Sequence, residues 1–328
     1  MTPFAHLLLD LDGTLIVDQK DAGRDPSRVA LLPGVGEGLR QFRDAGAHFF
    51  VVTNQGGIGL SLYTEADFLS CLHRTRNLLT QEDITLKAIE FCPHAPEAHC
   101  ACRKPATGMW ESLRLKFPQL HARNTVMIGD KDRDVLLGRA IGCPTVRIRC
   151  ADYPDTVDAD IVVNDFPQLA QRLLKAQDRV MSSADVALFA ARMRKDGKTI
   201  VTTNGAFDLL HAGHRFLFAE ARKHGDILIV GVNSDASVRR QKGEDRPAES
   251  QDVRAHAVAR YSDAVFVFDD PDPRPWLPLV CPDVHLNASS YGEDCVEAPV
   301  LREIGAKLVL VPVRPDLGST TAILRSAS

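Results

Sequence analysis

Short apolar runs rich in β-branched and aromatic residues alternate with longer stretches of helical spacing along nearly the whole chain. In the first half the runs are His6 to Leu11, His48 to Thr53, Ala88 to Phe91, Thr125 to Ile128 and Thr145 to Ile148. Apolar runs separated by helical segments predict a parallel sheet covered on both faces, hence one α/β domain over residues 1–175. Thr64, followed by Glu65 and Asp67, marks the start of one helix, and Gly34 and Gly36 break the chain ahead of another. The periodicity lapses over residues 176–183, which read as a linker, and a polar helix over 184–195 leads into the second half. From Thr199 the alternation restarts, with strands expected at 199–203, 227–232, 264–268, 284–287 and 307–311. The prediction is a second, smaller parallel α/β domain over 184–328. No internal repeat connects the halves, which argues against duplication.

The 328 residues exceed one ordinary core and suit two domains. With 45% hydrophobic residues, 25% charged residues and a net charge of -4, the chain gives no reason to expect nucleic acid or an anionic membrane as partner. Small metabolites are the expected partners. No apolar run reaches membrane-spanning length, and the chain enters Phe4-Ala5-His6-Leu7-Leu8-Leu9 without a preceding basic region, so a cytoplasmic protein is expected. Of eight cysteines, Cys92, Cys100 and Cys102 share one loop, which suits a reducing compartment and a metal better than disulfides. Cys71, Cys143, Cys150, Cys281 and Cys295 read as core thiols.

The first candidate chemistry is Asp10-Leu11-Asp12-Gly13-Thr14, which follows an apolar strand. Gly13 permits a turn, so both carboxylates are expected at the carboxyl end of the sheet, where α/β proteins bind ligands. A carboxylate attacks phosphorus only when the charges are offset, which a bridging Mg²⁺ accomplishes. Asp10 suits the nucleophile, and Asp12 suits an acid that protonates the leaving oxygen and then a base that activates water. Further on, Thr53-Asn54 ends a strand, Arg103-Lys104-Pro105 supplies cations, and Gly129-Asp130-Lys131-Asp132-Arg133-Asp134 ends another strand with acids. Together these four segments resemble the haloacid dehalogenase superfamily of phosphatases. The resemblance implies that Thr53 and Lys104 hold the transferring phosphoryl group. It also implies that Asp130 binds Mg²⁺ with Asp10 and the Leu11 carbonyl, with the Asp12 backbone as the alternative ligand and Asp134 supporting the metal.

Cys92, His94, Cys100 and Cys102 offer three thiolates and an imidazole, a ligand set for a closed, structural Zn²⁺ site, with His99 as the alternative to His94. Such a site would brace the loop that runs into Arg103 and Lys104. The loop, with Thr53-Asn54-Gln55, Tyr63-Thr64-Glu65 and Gly129-Asp130-Lys131, resembles D-glycero-D-manno-heptose 1,7-bisphosphate phosphatases; histidinol-phosphate phosphatases share the zinc loop. The resemblance implies that Arg103 contacts the sugar phosphate, with Asn54, Gln55 and Lys131 nearby. Leu60-Ser61 stands where that pattern has Arg-Gly.

In the second half, Thr203-Asn204-Gly205-Ala206-Phe207-Asp208 leaves a strand, and His211-Ala212-Gly213-His214 opens a helix. Imidazoles and backbone N–H groups at a helix N-terminus suit the negatively charged α-phosphate of a nucleotidyl transfer, and Gly213 leaves room for close approach. Asn233-Ser234-Asp235, Arg240, Lys242-Gly243, Arg246-Pro247, Arg314 and Ser319-Thr320-Thr321 follow in order. Residues 184–326 thereby resemble cytidylyltransferase-like nucleotidyltransferases, most closely heptose-1-phosphate adenylyltransferases. The resemblance implies nucleotide contacts from Asn204, Gly205, Phe207, His211, Gly213, His214, Asp235, Lys242, Arg246, Arg314, Ser319 and Thr320, with ATP as co-substrate. Taken singly, Lys242 and Arg246 also fit a solvated basic loop. Asn287-Ala288-Ser289-Ser290-Tyr291 replaces the Lys-Gly-Gly-Asp-Tyr of the adenylyltransferases, which leaves the acceptor and the nucleotide (ATP, CTP or GTP) open. Removal of a 7-phosphate would yield the sugar 1-phosphate that the second activity consumes, so a bifunctional enzyme of nucleotide-activated heptose synthesis is expected. The alternatives are a histidinol-phosphate or other sugar-phosphate phosphatase joined to an unrelated transferase, and a second half that binds nucleotide without catalysis. Dimers among relatives of the second half suggest a homodimer.

Overall fold

The computed structural model describes residues 4–19, 24–150, 152–153 and 156–314. They belong to two compact units, Met1–Leu174 and Lys175–Ser328. Among the described residues no helix is long and apolar enough to cross a membrane.

The first unit holds strands β1 (His6–Leu9), β2 (His48–Asn54), β3 (Leu86–Cys92), β4 (Thr125–Gly129), β5 (Thr145–Ile148) and β6 (Ile161–Val163). They form one sheet in the order β3-β2-β1-β4-β5-β6, with every pairing parallel. Leu7, Leu8 and Leu9 are fully buried, as expected for a central strand covered on both faces. Because the chain runs outward from β1 first on one side and later on the other, the topological switch lies at the carboxyl end of β1, where crevices form in such sheets. The register levels the strand ends there: Leu9 pairs with both Val51 and Ile128, so the residues after each emerge together.

Local signals set the helices. Thr64 caps the helix Glu65–Gln81: its hydroxyl accepts from the Asp67 N–H, and the Asp67 carboxylate accepts from the Thr64 N–H. Gly34 is the left-handed N-cap of the helix Val35–Asp44, whereas Gly36, expected to lie ahead of that helix, sits inside it. A Cβ on Gly36 would meet the end of the Glu82 side chain, which would have to move aside. Strand β6, only three residues long, was not expected from the sequence.

The second unit comprises β7 (Val180–Met181), β8 (Ile200–Gly205), β9 (Ile227–Asn233), β10 (Ala264–Phe268), β11 (Val284–Ala288) and β12 (Lys307–Val311). Their order is β12-β11-β8-β9-β10-β7, again all parallel. Residues 176–183, expected to form a linker, instead hold a 3-10 turn and β7, whose Val180 and Met181 pair with Val265 and Phe266. Two apolar residues are too short a run to show periodicity, yet suffice for an edge strand. Ser182 then caps the helix Ser183–Lys195 through the Asp185 N–H. The switch point here lies between β8 and β11, whose pairing ends at Thr202 and His285; Asn204 and Asn287 stand two residues beyond on each strand.

Candidate functional site

At the first switch point Asp10 leaves β1, its N–H donating to the Ile128 carbonyl of β4. Lys104 Nζ donates to Asp10 Oδ1 at 2.5 Å and to the Val52 carbonyl at 2.7 Å, and lies 2.6 Å from Asp134 Oδ1. Lys104 is 3% exposed and Asp10 5%, so these charges meet away from water. Burial opposes ionisation of Asp10, but Lys104 and then Lys131 hold its carboxyl below the usual range. At Asp130 the compensation is weaker: burial first, then the neighbouring Asp10 charge, outweighs the opposing pull of Lys131 and pushes its carboxyl up to about 7. Its Oδ2 is buried without a hydrogen bond among the described residues, the Lys131 ammonium standing 3.4 Å away. Gly13 has φ +85°, and a Cβ there would strike the Asp130 carboxylate, so only glycine permits this approach.

Asp10, Asp130 and Asp134 place one oxygen each within 4.8 Å of one another. Three converging hard oxygen donors, one of them orphaned, fit a divalent cation such as Mg²⁺. The Asp12 carboxylate stands apart from this group, engaged by Arg24 and Gln55, while the Asp12 carbonyl accepts from Lys131 Nζ at 3.1 Å.

The surroundings of Asp12 combine the motif residues Gln55 and Tyr63 with Arg24, which no motif contains. Arg24 Nη1 and Nη2 each donate to one Asp12 oxygen at 2.6 Å, and the guanidinium lies 5.3 Å from the centre of the Tyr63 ring. Gln55, fully buried, donates to Asp12 Oδ2 and Thr53 Oγ1 and accepts from Arg24 and the Tyr63 hydroxyl. Its amide thus ties Asp12 to Thr53, Arg24 and Tyr63. Asn54 clamps Lys104, its Oδ1 accepting from the Lys104 N–H at 2.9 Å and its Nδ2 donating to the Lys104 carbonyl at 3.1 Å. Lys131 also reaches Asp18 at 3.1 Å beneath the Tyr153 ring, and the Tyr153 hydroxyl donates to Asp18. Of the residues expected to face substrate here, Arg103 keeps a half-exposed side chain beside the His94 carbonyl. Arg24, Asp18 and Tyr153 escaped the sequence reading because nothing in their own neighbourhoods marks them.

Strand β3 ends level with Asn54, through the Asn54–Cys92 pair, and opens the cysteine loop. Cys92 Sγ and Cys102 Sγ each lie 3.4 Å from Cys100 Sγ, and His94 Nδ1 lies 3.3 Å from Cys102 Sγ. Three thiols and one imidazole converging within 4.8 Å form a four-donor set matching tetrahedral zinc chemistry, with His94 rather than His99 in the group. All eight cysteines are free; Cys150 and Cys281, expected in the core, are only partly buried.

In the second unit His211 caps the helix Ala212–Ala221. His211 Nδ1 accepts from the Gly213 N–H at 3.1 Å and His214 Nδ1 from the His211 N–H at 3.4 Å, while the rings stack with centroids 3.7 Å apart. Accepting at Nδ1 puts the proton of each neutral ring on Nε2, leaving a donor suited to phosphate oxygens. Burial lowers His211 to about 4 and His214 to about 3, so both are neutral at physiological pH. Phe207, expected to touch nucleotide, is buried with its ring edge against His214 and acts as a support for it. Asp235 pairs with Arg254 and Arg246 with Asp208, each at 2.7 Å; Asp208 also accepts from the Ala248 and Glu249 N–H groups. These pairs brace the loop after Lys242. Asn204, Gly205 and Lys242 line a cavity of about 380 Å³ with Asn287 and Tyr291. Arg314 lies over the Phe216 ring, and Ser319 and Thr320 fall outside the described residues.

The sequence matches a cytidylyltransferase-like family model over residues 202–318 and a HAD-hydrolase-like model over residues 101–169. Among curated relatives, the bifunctional protein HldE of Streptomyces coelicolor is 44% identical over 146 residues, covering 44% of this chain and 32% of that protein. The bifunctional protein HldE of Wolinella succinogenes is 41% identical over 133 residues, 40% of this chain and 28% of the relative. The chain thus spans about a third of the length of these relatives. A solved D,D-heptose 1,7-bisphosphate phosphatase from B. bronchiseptica, complexed with magnesium and phosphate, is similar over 52% of this chain and 99% of its own, with 24% identity and a TM-score of 0.48. The two units have a HAD-like and a cytidylyltransferase-like Rossmann fold.

Proposed function

We propose that the chain is a bifunctional enzyme of nucleotide-activated heptose synthesis: it removes the 7-phosphate of heptose 1,7-bisphosphate and then transfers an adenylyl group from ATP to heptose 1-phosphate. The observation that carries the reading is the buried cluster of Asp10, Asp130, Asp134 and Lys104 at a strand switch point, with Asp12 held beside it by Arg24. Mg²⁺ bound by Asp10 and Asp130 would offset the charge of the phosphate. Asp10 Oδ attacks phosphorus and the sugar oxygen leaves with a proton from Asp12; Asp12 then takes a proton from water, which releases phosphate from the aspartyl group. Lys104 and Thr53 stand where they can steady the phosphoryl oxygens. Zinc in the Cys92, His94, Cys100 and Cys102 set would stiffen the loop carrying Arg103 and Lys104.

In the second step an oxygen of heptose 1-phosphate attacks the α-phosphorus of ATP and pyrophosphate leaves. His211 and His214 donate from Nε2 to the crowded phosphate oxygens. Similarity to bifunctional relatives and to a cytidylyltransferase-like model supports a nucleotidyl transfer, and the motif resemblances support heptose as the sugar. The test incubates the protein with heptose 1,7-bisphosphate, Mg²⁺ and each nucleoside triphosphate in turn and resolves the products, with histidinol phosphate assayed beside it. Phosphate release followed by ADP-heptose is expected. Turnover of histidinol phosphate in preference to the heptose would contradict the sugar assignment, and phosphate release without nucleotide-sugar would contradict the transferase.

A further inference from the structure

The cavity at the second switch point is lined by two side chains that each keep one buried polar atom without a hydrogen bond among the described residues, although the Glu297 carboxylate also interacts with the Cys295 thiol. Glu297 is 5% exposed, yet its Oε2 has no hydrogen-bond partner among the described residues. It immediately precedes the short helix Ala298–Glu303, but its side chain does not cap that helix. Asn287, next to last in β11, lines the same cavity and spends its Oδ1 on the Ala288 N–H at 3.0 Å, while its Nδ2 is a buried donor without a partner among the described residues. Leaving one buried donor or acceptor unmatched typically costs on the order of 1–3 kcal/mol, and a charged one more, so a folded chain that keeps both has another use for them.

Their chemistry restricts the occupant. A carboxylate oxygen only accepts and an amide nitrogen only donates, so the two together match hydroxyl groups, which do both. Lys242, lining the same cavity, adds a cation for a phosphate. At about 380 Å³ the cavity falls within the range of small-ligand sites. We propose that Glu297 and Asn287 are specificity residues that bind hydroxyls of a polyhydroxylated sugar phosphate acceptor, an inference that rests on the transferase reading above and names the groups that select its acceptor. Asn287 then serves as a hydroxyl donor where the adenylyltransferase pattern has lysine, so this acceptor is gripped more through its hydroxyls and less through charge.

The test compares wild type, E297Q and N287A in the full chain, supplied with heptose 1-phosphate and ATP, and titrates each calorimetrically with heptose 1-phosphate. The first unit contributes equally to all three proteins, so differences between them report the cavity. The expected result is an acceptor KM raised about tenfold or more in E297Q and a matching loss of affinity, with the ATP KM unchanged within about twofold. N287A is expected to show the same split, and it decides the matter if E297Q does not fold. Unchanged acceptor KM and unchanged affinity in the folded variants overturn the proposal, as does wild-type protein that fails to bind the sugar phosphate. Wild type that binds in a Glu297-dependent way yet forms no nucleotide-sugar overturns the transferase reading instead and upholds the cavity assignment.

Discussion

Arg24 grips Asp12 through two parallel hydrogen bonds of 2.6 Å, one from each terminal guanidinium nitrogen to each carboxylate oxygen. This fork, with Gln55 behind it, fixes the plane of the carboxylate proposed to move the proton in phosphate release. Substituting Arg24 by alanine should lower kcat for phosphate release on the order of 10- to 100-fold, with KM moving by less than about threefold. Arg24→Lys should fall between, since an ammonium cannot hold both oxygens in one plane. Steady-state phosphate release measures both; an unaltered kcat in Arg24→Ala would remove the positioning role.

Lys104 bridges two buried carboxylates, those of Asp10 and Asp134. Lys104→Met would strip Asp134 and Asp10 of the ammonium they share in a water-poor site, leaving Asp10 only the charge of Lys131. The first unit should lose about 3–5 kcal/mol of stability, as for a buried ion pair broken from one side. Urea unfolding at pH 7 checks this, and a loss below about 1 kcal/mol would mean that water or relaxation already compensates the acids.

The cysteine loop leads directly from Cys102 into Arg103 and Lys104. Purified protein should carry one zinc per chain by elemental analysis, and Cys100→Ser should lose it together with most phosphate release. Nucleotidyl transfer from supplied heptose 1-phosphate should persist. A metal-free protein of full phosphatase activity would contradict the bracing role.

Much of this was legible in the sequence, for physical reasons. Ten of the strands are apolar runs long enough to stand out, because a parallel strand covered on both faces cannot alternate with polar residues. Two escaped: β6, three residues at one sheet edge, and β7, two residues at the other. Asp10 and Asp130 stood out because motif and strand end coincide, and Lys104 because it follows Arg103 in a cationic motif of the cysteine loop. Arg24 did not, since only the tertiary fold brings it to Asp12 and Tyr63. Gln55 and Lys131, which the resemblance places near substrate, also hydrogen-bond Asp12, a contact that their motifs do not reveal. Glu297 was invisible because a glutamate beside a short helix ordinarily faces water.

His211, His214 and His285 are all held below their ordinary pKa by burial, at about 4, 3 and 3. Below pH 6.5 the unfolded chain therefore binds protons that the folded chain refuses, so these groups make stability fall as pH drops from about 6.5 towards 4. His285, fully buried with Nδ1 2.8 Å from Thr202 Oγ1, isolates the effect. Between pH 6 and 5, His285→Gln should lose less unfolding free energy than wild type, by up to about 1.4 kcal/mol. Urea unfolding of both proteins across this window gives the comparison; identical pH slopes would mean that His285 takes up protons as readily in the folded chain as in the unfolded one.

The central claim is that two separate sites in one chain perform consecutive steps, and it is tested most directly by assaying phosphate release and nucleotide-sugar formation in Asp10→Asn and His214→Ala. Asp10→Asn should abolish phosphate release from heptose 1,7-bisphosphate yet still form ADP-heptose from supplied heptose 1-phosphate. His214→Ala should release phosphate normally and form no nucleotide-sugar. If either substitution, in a folded protein, abolished both activities, the assignment of one step to each site would be wrong.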